Sequence, residues 1–323
     1  MVAGKTDKIK KRPRFTLDDL ELSLISLPTF IWYIAFCYLP MFGIIIAFKY
    51  YKPKPGAGFL QSLFVHSKWV GFENVEYLFK SVQARIMFTN TLGYNIVFII
   101  LGVLIPVTLA ILMSQLYSKK LAKICQTSMF LPHFLSWVVV SYFIYAFLST
   151  DKGLVNSISA KLGIGEGYTH NWYLDQGAWR YLLVFAQVWK TMGYNMVVYM
   201  ASLSGIDGTL YEAALIDGAS KWQQVKYVTI PLLRPMISIM FILAIGNIFR
   251  SDFGLFYQAT RNSGAIADVT TTIDVYVFKY LAERGSNINI SSAAALVQSV
   301  FGFITILAAN LIVKKIDPEA GLF

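Results

Sequence analysis

The chain has 323 residues, 56% of them hydrophobic and only 14% charged, against roughly 45–50% apolar and about 25% charged in a soluble domain. That balance excludes disorder, a fibrous repeat and an ordinary soluble enzyme, and points to a membrane protein. The net charge of +10 is not a nucleic-acid signature, because the basic residues are scattered. Their one cluster, Lys5, Lys8, Lys10, Lys11, Arg12 and Arg14, lies beside a long apolar run, as a cytoplasmic juxtamembrane anchor does.

In chain order, residues 1–21 form the basic cytoplasmic segment and 22–323 one membrane domain. A bilayer core of about 30 Å needs roughly 20 apolar residues of helix. Six runs meet this: Leu22–Phe48, Ile86–Met113, Ile124–Ser149, Trp179–Leu203, Met236–Phe256 and Ile290–Val313. The first is too long for the core of a cleavable signal peptide and reads as a retained anchor. With six spans both termini are expected in the cytoplasm. The turn carrying Lys119, Lys120 and Lys123, and the tail carrying Lys314 and Lys315, agree with that orientation. Two outer segments are long. Lys49–Arg85 contains Pro53, Pro55, Gly56 and Gly58; Thr150–Ala178 carries Gly163, Gly165, Gly167, Tyr168, Trp172 and Tyr173. The two cysteines, Cys37 and Cys125, fall in different spans at different depths, so no disulfide is expected, and two thiols alone build no metal site.

The cytoplasmic loop 204–235 is long for a connection between spans. Asp207 or Thr209 is placed to cap a helix, and Thr209 with Glu212 has capping-box spacing. Glu212, Ala213, Ala214, Leu215 and Ile216 continue it with good helix formers. Gly218 permits a left-handed reversal. A second helix sets Trp222, Val225 and Val228 on one face, and Pro231 and Pro235 are expected to stop it. The residues alone leave two readings open: a helix–turn–helix that fits a groove on a soluble partner, or an amphipathic helix in the headgroup layer.

Glu212-Ala213-Ala214, with Gly218 six residues after the Glu and Pro231 thirteen after the Gly, resembles the EAA loop that marks permease subunits of binding-protein-dependent ABC importers. Asp217-Gly218-Ala219 fits the sugar-permease version. Val225, Val228 and Ile230 depart from the family's usual Phe, Ile and Leu. Over nearly the whole chain the resemblance is to the LplB-type branch of polysaccharide and oligosaccharide permeases. It rests on Tyr38–Lys49, Asn90-Thr91-Leu92, Gln126-Thr127, Leu131–Trp137, Trp189-Lys190, Gln298–Phe303, Ala309-Asn310, Lys315–Pro318 and Leu322-Phe323.

That resemblance implies an all-α fold of six transmembrane helices, the type I ABC importer (MetI-like) permease fold, in a bacterial plasma membrane. It implies that Glu212, Ala213, Ala214, Asp217, Gly218, Ala219, Trp222 and Val225 couple the chain to an ATPase. The implied partners are a second homologous permease, two ATPase copies holding ATP and Mg, and an extracytoplasmic binding protein that delivers an oligosaccharide. No cofactor or nucleic acid is implied for this chain. Gly4-Lys5-Thr6 mimics the end of a phosphate-binding loop, but no upstream glycine or strand accompanies it.

Polar residues inside a span usually face a cavity or pair with one another. Gln187, Lys190 and Tyr194 share a helix face, with Asn195 beside them; Asn247, Arg250 and Asp252 lie in the fifth run. Trp137, Tyr142, Tyr145 and Trp189 supply aromatic faces of the kind that sugars stack on. These residues are candidates for a carbohydrate path, and each also has a plain packing explanation. Lys190 and Arg250 favour an anionic sugar, unless Asp252 neutralises Arg250. His133, after Pro132, is read as part of a helix kink. A carrier or channel working without an ATPase would show inverted repeats or a mid-membrane acid, and no repeat is found. An intramembrane enzyme would need a nucleophile–base pair or ligand cluster. His66, His133 and His170 are too scattered to form one.

Overall fold

The computed structural model describes residues 17–163, 170–283 and 287–316. The basic cluster from Lys5 to Arg14, the loop residues Gly165, Gly167 and Tyr168, and the tail from Asp317 to Phe323 lie outside the described residues.

Helix α1 (Leu17–Tyr33) runs on through a π turn, Ile34–Tyr38, and a 3₁₀ segment, Leu39–Phe48. The π turn has a local cause. Pro40 has no N–H to give the helix ladder, and the residue before it, Leu39, donates to Ile34 O, one residue further back than in an α-helix. Most of α1 stands clear of the other helices, with Ile25, Phe30 and Ile31 exposed, as is Phe36 in the π turn. The chain then turns through a small antiparallel hairpin, β1 (Lys49–Tyr50) against β2 (Lys68–Trp69), with Lys49 opposite Trp69 and Tyr50 opposite Lys68. Asn74, in α2 (Glu73–Lys80), holds that hairpin by donating to Ala47 O and Lys49 O at 2.8 and 3.1 Å.

The body is built from α3 (Val82–Ser114), α4 (Lys119–Phe134), α5 (Trp137–Leu148), α6 (Gln176–Ser204), α7 (Gly208–Ile216), α8 (Lys221–Gly246), α9 (Ile273–Phe278) and α10 (Ile288–Ile316). Six of their starts carry a side-chain cap, those of α7 and α8 from Asp207 and Ser220. Ser81, Ser118, Ser136 and Asp175 accept from Ala84, Leu121, Val139 and Ala178 N–H groups respectively. α3 packs along α6, α6 on α4, and α8 on α10. At the α4–α6 crossing the helices touch backbone to backbone. A Cβ on Gly193 would overlap the Met129 carbonyl, so only glycine fits. A core cluster containing Trp137, Trp179, Leu183, Leu255, Phe256 and Ile266 joins α5 and α6 to the segment after α8.

Among the described residues, the regular structure is helical apart from the two-residue strands, and four helices are long and apolar enough to cross a membrane: Asp19–Phe48, Val82–Ser114, Lys221–Gly246 and Ile288–Lys315. Three of the expected runs differ in detail. Ile124–Ser149 is not one straight span: α4 and α5 meet at a 101° bend, and only together are they long and apolar enough. The cause is Pro132 followed by Ser136, whose side chain caps a new helix rather than continuing the old one. α6, with 29 residues, has the length of a span but not the apolarity of the other four, because Gln187, Lys190 and Asn195 interrupt it. The fifth span begins in the cytoplasmic loop itself, at Lys221, and ends at Gly246 rather than Phe256. Pro231 and Pro235 do not stop it. The π turn Val225–Thr229 absorbs Pro231 as the earlier one absorbs Pro40, with Ile230 N–H donating to Val225 O.

Candidate functional site

Two regions hold the residues singled out by sequence. The first is the helical hairpin α7–α8. Asp207 caps α7 by accepting from Thr209 N–H at 3.0 Å, which holds the Asp207 carboxyl below the usual carboxylate range. Thr209 and Glu212 do not form the expected capping box; the box forms further along, between Ser220 and Gln223. The Ser-x-x-Gln spacing at Ser220 carried that signal. α7 ends in a Schellman motif: Ala219 N–H reaches Ala214 O and Gly218 N–H reaches Leu215 O, with Gly218 at φ +77°. A bond of 3.1 Å between Tyr211 and Thr229 hydroxyls ties the two helices together.

This hairpin presents Glu212, Ala213, Asp217 and Gly218 on its exposed side, with Ala214 and Ala219 half-buried and Val225 buried. Glu212 forms no ion pair among the described residues. Around it Leu215, Ile216 and Trp222 are exposed, Ile216 by 87% and Trp222 by 73%. The expected apolar face therefore divides: Val225 packs inward while Trp222 stands out.

The second region is a cavity of about 440 Å³ between α3, α6 and α8. Six of the residues expected on a sugar path line it: Gln187, Tyr194, Asn195, Asn247, Arg250 and Asp252. Asn95, Thr191, Tyr199, Ser251 and His133 join them, and the His133 ring stacks on Tyr194 with centroids 4.5 Å apart. Gln187 Oε1 and the Tyr199 hydroxyl are buried without a hydrogen-bond partner among the described residues. Orphaned polar atoms on a cavity wall call for water or a hydroxylated ligand.

The turn after α8 is fastened from three elements. Asn95 of α3 donates to Ile248 O and Arg250 O at 2.7 and 2.8 Å. Gln298 of α10 donates to Phe249 O at 2.8 Å. Asp274 of α9 accepts from Ser251 N–H at 2.6 Å. Arg250 is thus fixed through its backbone while its side chain is exposed at the cavity. It makes no ion pair with Asp252. Asp252 instead accepts from Trp137 Nε1 at 2.5 Å and from Gly254 N–H at 2.9 Å. Sequence reading missed Asn95, Asp274 and Ser251; an amide inside an apolar run was the only signal for the first.

The remaining candidates lie off the cavity. Trp137 is buried behind Asp252, and Lys190 reaches the carbonyls of the α4–α5 break. Tyr142 is exposed on α5. Tyr145 stacks under the Arg261 guanidinium, 4.0 Å from its ring centroid. Cys37 and Cys125 are both free thiols, and no cluster of metal-ligating side chains occurs among the described residues.

Comparison with known proteins bears on both regions. Residues 102–318, which include the hairpin and most of the cavity, match the family of binding-protein-dependent transport system inner membrane components. The chain is similar to protein LplB of Bacillus subtilis, 32% identical over 94% of this chain and 92% of that one. It is also similar to YteP of the same organism, a polygalacturonan/rhamnogalacturonan transport system permease, 29% identical over 97% and 94%. A solved structure of a bacterial alginate ABC transporter, in complex with alginate pentasaccharide-bound periplasmic protein, contains a chain that superposes with a TM-score of 0.81. That chain is 28% identical, with 93% of this chain and 96% of the other covered. The chain therefore belongs to the binding-protein-dependent transport system inner membrane components, and is an integral inner membrane permease subunit of a sugar ABC importer.

Proposed function

We propose that this chain is one half of a heterodimeric permease. Its partners are a second, homologous permease, two ATPase subunits that bind ATP and Mg, and an extracytoplasmic binding protein that hands over an oligosaccharide. The chain carries no catalytic residues of its own. It lies in the bilayer of a bacterial plasma membrane with both termini in the cytoplasm, and the hairpin α7–α8 is the surface that meets the ATPase.

One observation carries this reading: the second helix of the hairpin and the fifth span are the same helix. α8 runs unbroken from Lys221 to Gly246, 26 residues, or about 39 Å at 1.5 Å per residue. Its cytoplasmic end bears the exposed Trp222, and its other end leads into the turn that seats Arg250. A push on the hairpin is delivered as a rigid-body movement to one wall of the cavity. Glu212 would meet a basic group of the ATPase, and the bare Gly218 turn, with nothing within 4 Å of a Cβ built there, allows close approach.

For the cargo, the amide, hydroxyl and aromatic groups of the cavity suit sugar hydroxyls. Arg250 is a cation without a carboxylate partner among the described residues, whereas Asp252 already accepts two N–H groups. That asymmetry, and the acidic polysaccharides named for two of the similar proteins, favour an oligosaccharide bearing uronate groups. The test is to purify the chain with its co-purifying proteins, reconstitute the complex and its binding protein in vesicles, and measure uptake of tetragalacturonate and of maltotetraose with and without ATP. ATP-driven uptake that prefers the uronate is expected. Flux through this chain alone, indifferent to ATP, would replace the importer by a carrier or channel.

A further inference from the structure

A lysine in the middle of a span demands an account, and Lys190 does not face the cavity. Its ammonium has three N–H donors. Three carbonyls surround it: Leu135 at 2.6 Å, His133 at 2.9 Å and Pro132 at 3.4 Å. These belong to the last turn of α4 and the residue after it, where the helix ends at the 101° break. Pro132 O also accepts from Leu135 N–H at 3.2 Å, and carbonyls at a helix C-terminus carry the negative end of the helix dipole. With its donors engaged on backbone, Lys190 has none left for a sugar.

The chain of interactions continues toward the cavity. The Trp137 ring, first residue of α5, lies 5.5 Å from the Lys190 ammonium. At its edge Trp137 Nε1–H donates to Asp252 Oδ2 at 2.5 Å. Gly254 presses against the same ring, and a Cβ there would overlap it. Lys190, Trp137 and Asp252 thus connect the break to the cavity wall, joining α6, α5 and the segment after α8.

We propose that Lys190 is a positioning residue: it clamps the α4–α5 break and, through Trp137, sets the Asp252 carboxylate on the cavity wall. Its transport consequence rests on the importer reading above; its structural consequence does not. The test compares Lys190→Met, Lys190→Arg, Trp137→Phe and Arg250→Met with the wild type, all in the assembled complex. Two readouts are taken: amide hydrogen exchange over residues 134–140, and the rate of tetragalacturonate uptake as a function of its concentration. Lys190→Met is expected to speed exchange at the Leu135, Val139 and Val140 amides roughly tenfold, as local opening at the break becomes easier. It should lower maximal uptake with little change in KM. Lys190→Arg, which keeps charge and donors, should recover most of both. Trp137→Phe, which keeps the ring and loses the N–H, should lower uptake while leaving the amides next to Lys190 protected. Arg250→Met should leave exchange untouched. The proposal is overturned if Lys190→Met leaves exchange at the break unchanged, or if it raises KM alone. If the wild-type complex takes up no oligosaccharide, the importer reading falls while exchange still decides the clamp.

Discussion

The hairpin α7–α8 and the wall of the cavity are held by opposite means. In the hairpin nearly every bond is short in sequence: the Asp207 cap on Thr209, the Schellman bonds from Ala219 and Gly218, the box between Ser220 and Gln223. The wall is held by bonds that span the chain, from Asn95 to Arg250, from Lys190 to His133 and from Trp137 to Asp252. A locally held element keeps its shape when it is pushed as a unit, which suits a lever. An element held by partners from several helices changes shape when those helices move, which suits a site that must open and close.

The sharpest way to break this comparison is to damage one region and ask whether the other survives. Gly193→Val should have the largest effect, because a side chain there meets the Met129 backbone, which cannot step aside. Overpacking of this kind costs about 1–3 kcal/mol or more. With α4 and α6 forced apart, most of the chain should be missing from the membrane on an immunoblot. Glu212→Arg should act next, and differently. The residue is exposed and unpaired among the described residues, so the chain should accumulate normally. ATP-driven uptake should nevertheless fall at least about tenfold, the cost of setting like charges against each other where two surfaces meet closely. Normal uptake by Glu212→Arg would remove the hairpin from the coupling path.

The same contrast explains what was legible in the sequence. Asp207, Gly218 and the run from Glu212 to Ile216 act within a turn or two of themselves, so their spacing marked a helix, a reversal and a second helix, while leaving open whether Asp207 or Thr209 caps the first and whether the second lies in the headgroup layer. The prolines misled for a related reason. Pro231 was expected to end a helix, but a π turn satisfies the ladder just before it, as at Pro40, and a proline in a sequence does not say whether the helix will stop or pass through such a turn. The wall was legible only as a set of polar residues in apolar runs. Lys190 and Arg250 looked alike there: two cations in spans. One spends its donors on carbonyls 55 to 58 residues away, and the other faces the cavity. That distinction is tertiary, and periodicity does not carry it.

Arg250→Gln sharpens the difference between the two cations. A charge-assisted hydrogen bond contributes about 1.5–3 kcal/mol, so losing one to a uronate should raise KM for tetragalacturonate at least about tenfold. Maltotetraose uptake, whatever its level, should be unaffected. An equal loss for both sugars would mean that Arg250 shapes the turn rather than reads the charge.

Within the hairpin the effects should be smaller. Gly218→Ala places a Cβ on a backbone at φ +77° with open space around it, so the cost is conformational alone, about 1 kcal/mol. Read as binding, that is roughly fivefold weaker association of the ATPase. Asp207→Ala should do least, fraying the first turn of α7 and speeding exchange of the Thr209 amide. The effect depends on pH in a definite direction. The Thr209 N–H lowers the folded pKa of Asp207, so the folded chain binds this proton less readily than the unfolded one. The cap's contribution is complete above the unfolded pKa of about 3.9 and is lost as pH falls through the lower folded value. Thr209 protection should therefore separate wild type from Asp207→Ala at neutral pH, once rates are corrected for intrinsic exchange. The two should converge in strong acid. Asp207→Asn, which keeps a capping oxygen without the charge, should track the wild type at neutral pH and lose the acid-dependent step. A cap whose protection ignored pH in the wild type would show that the Asp207 carboxylate is not what holds the start of α7.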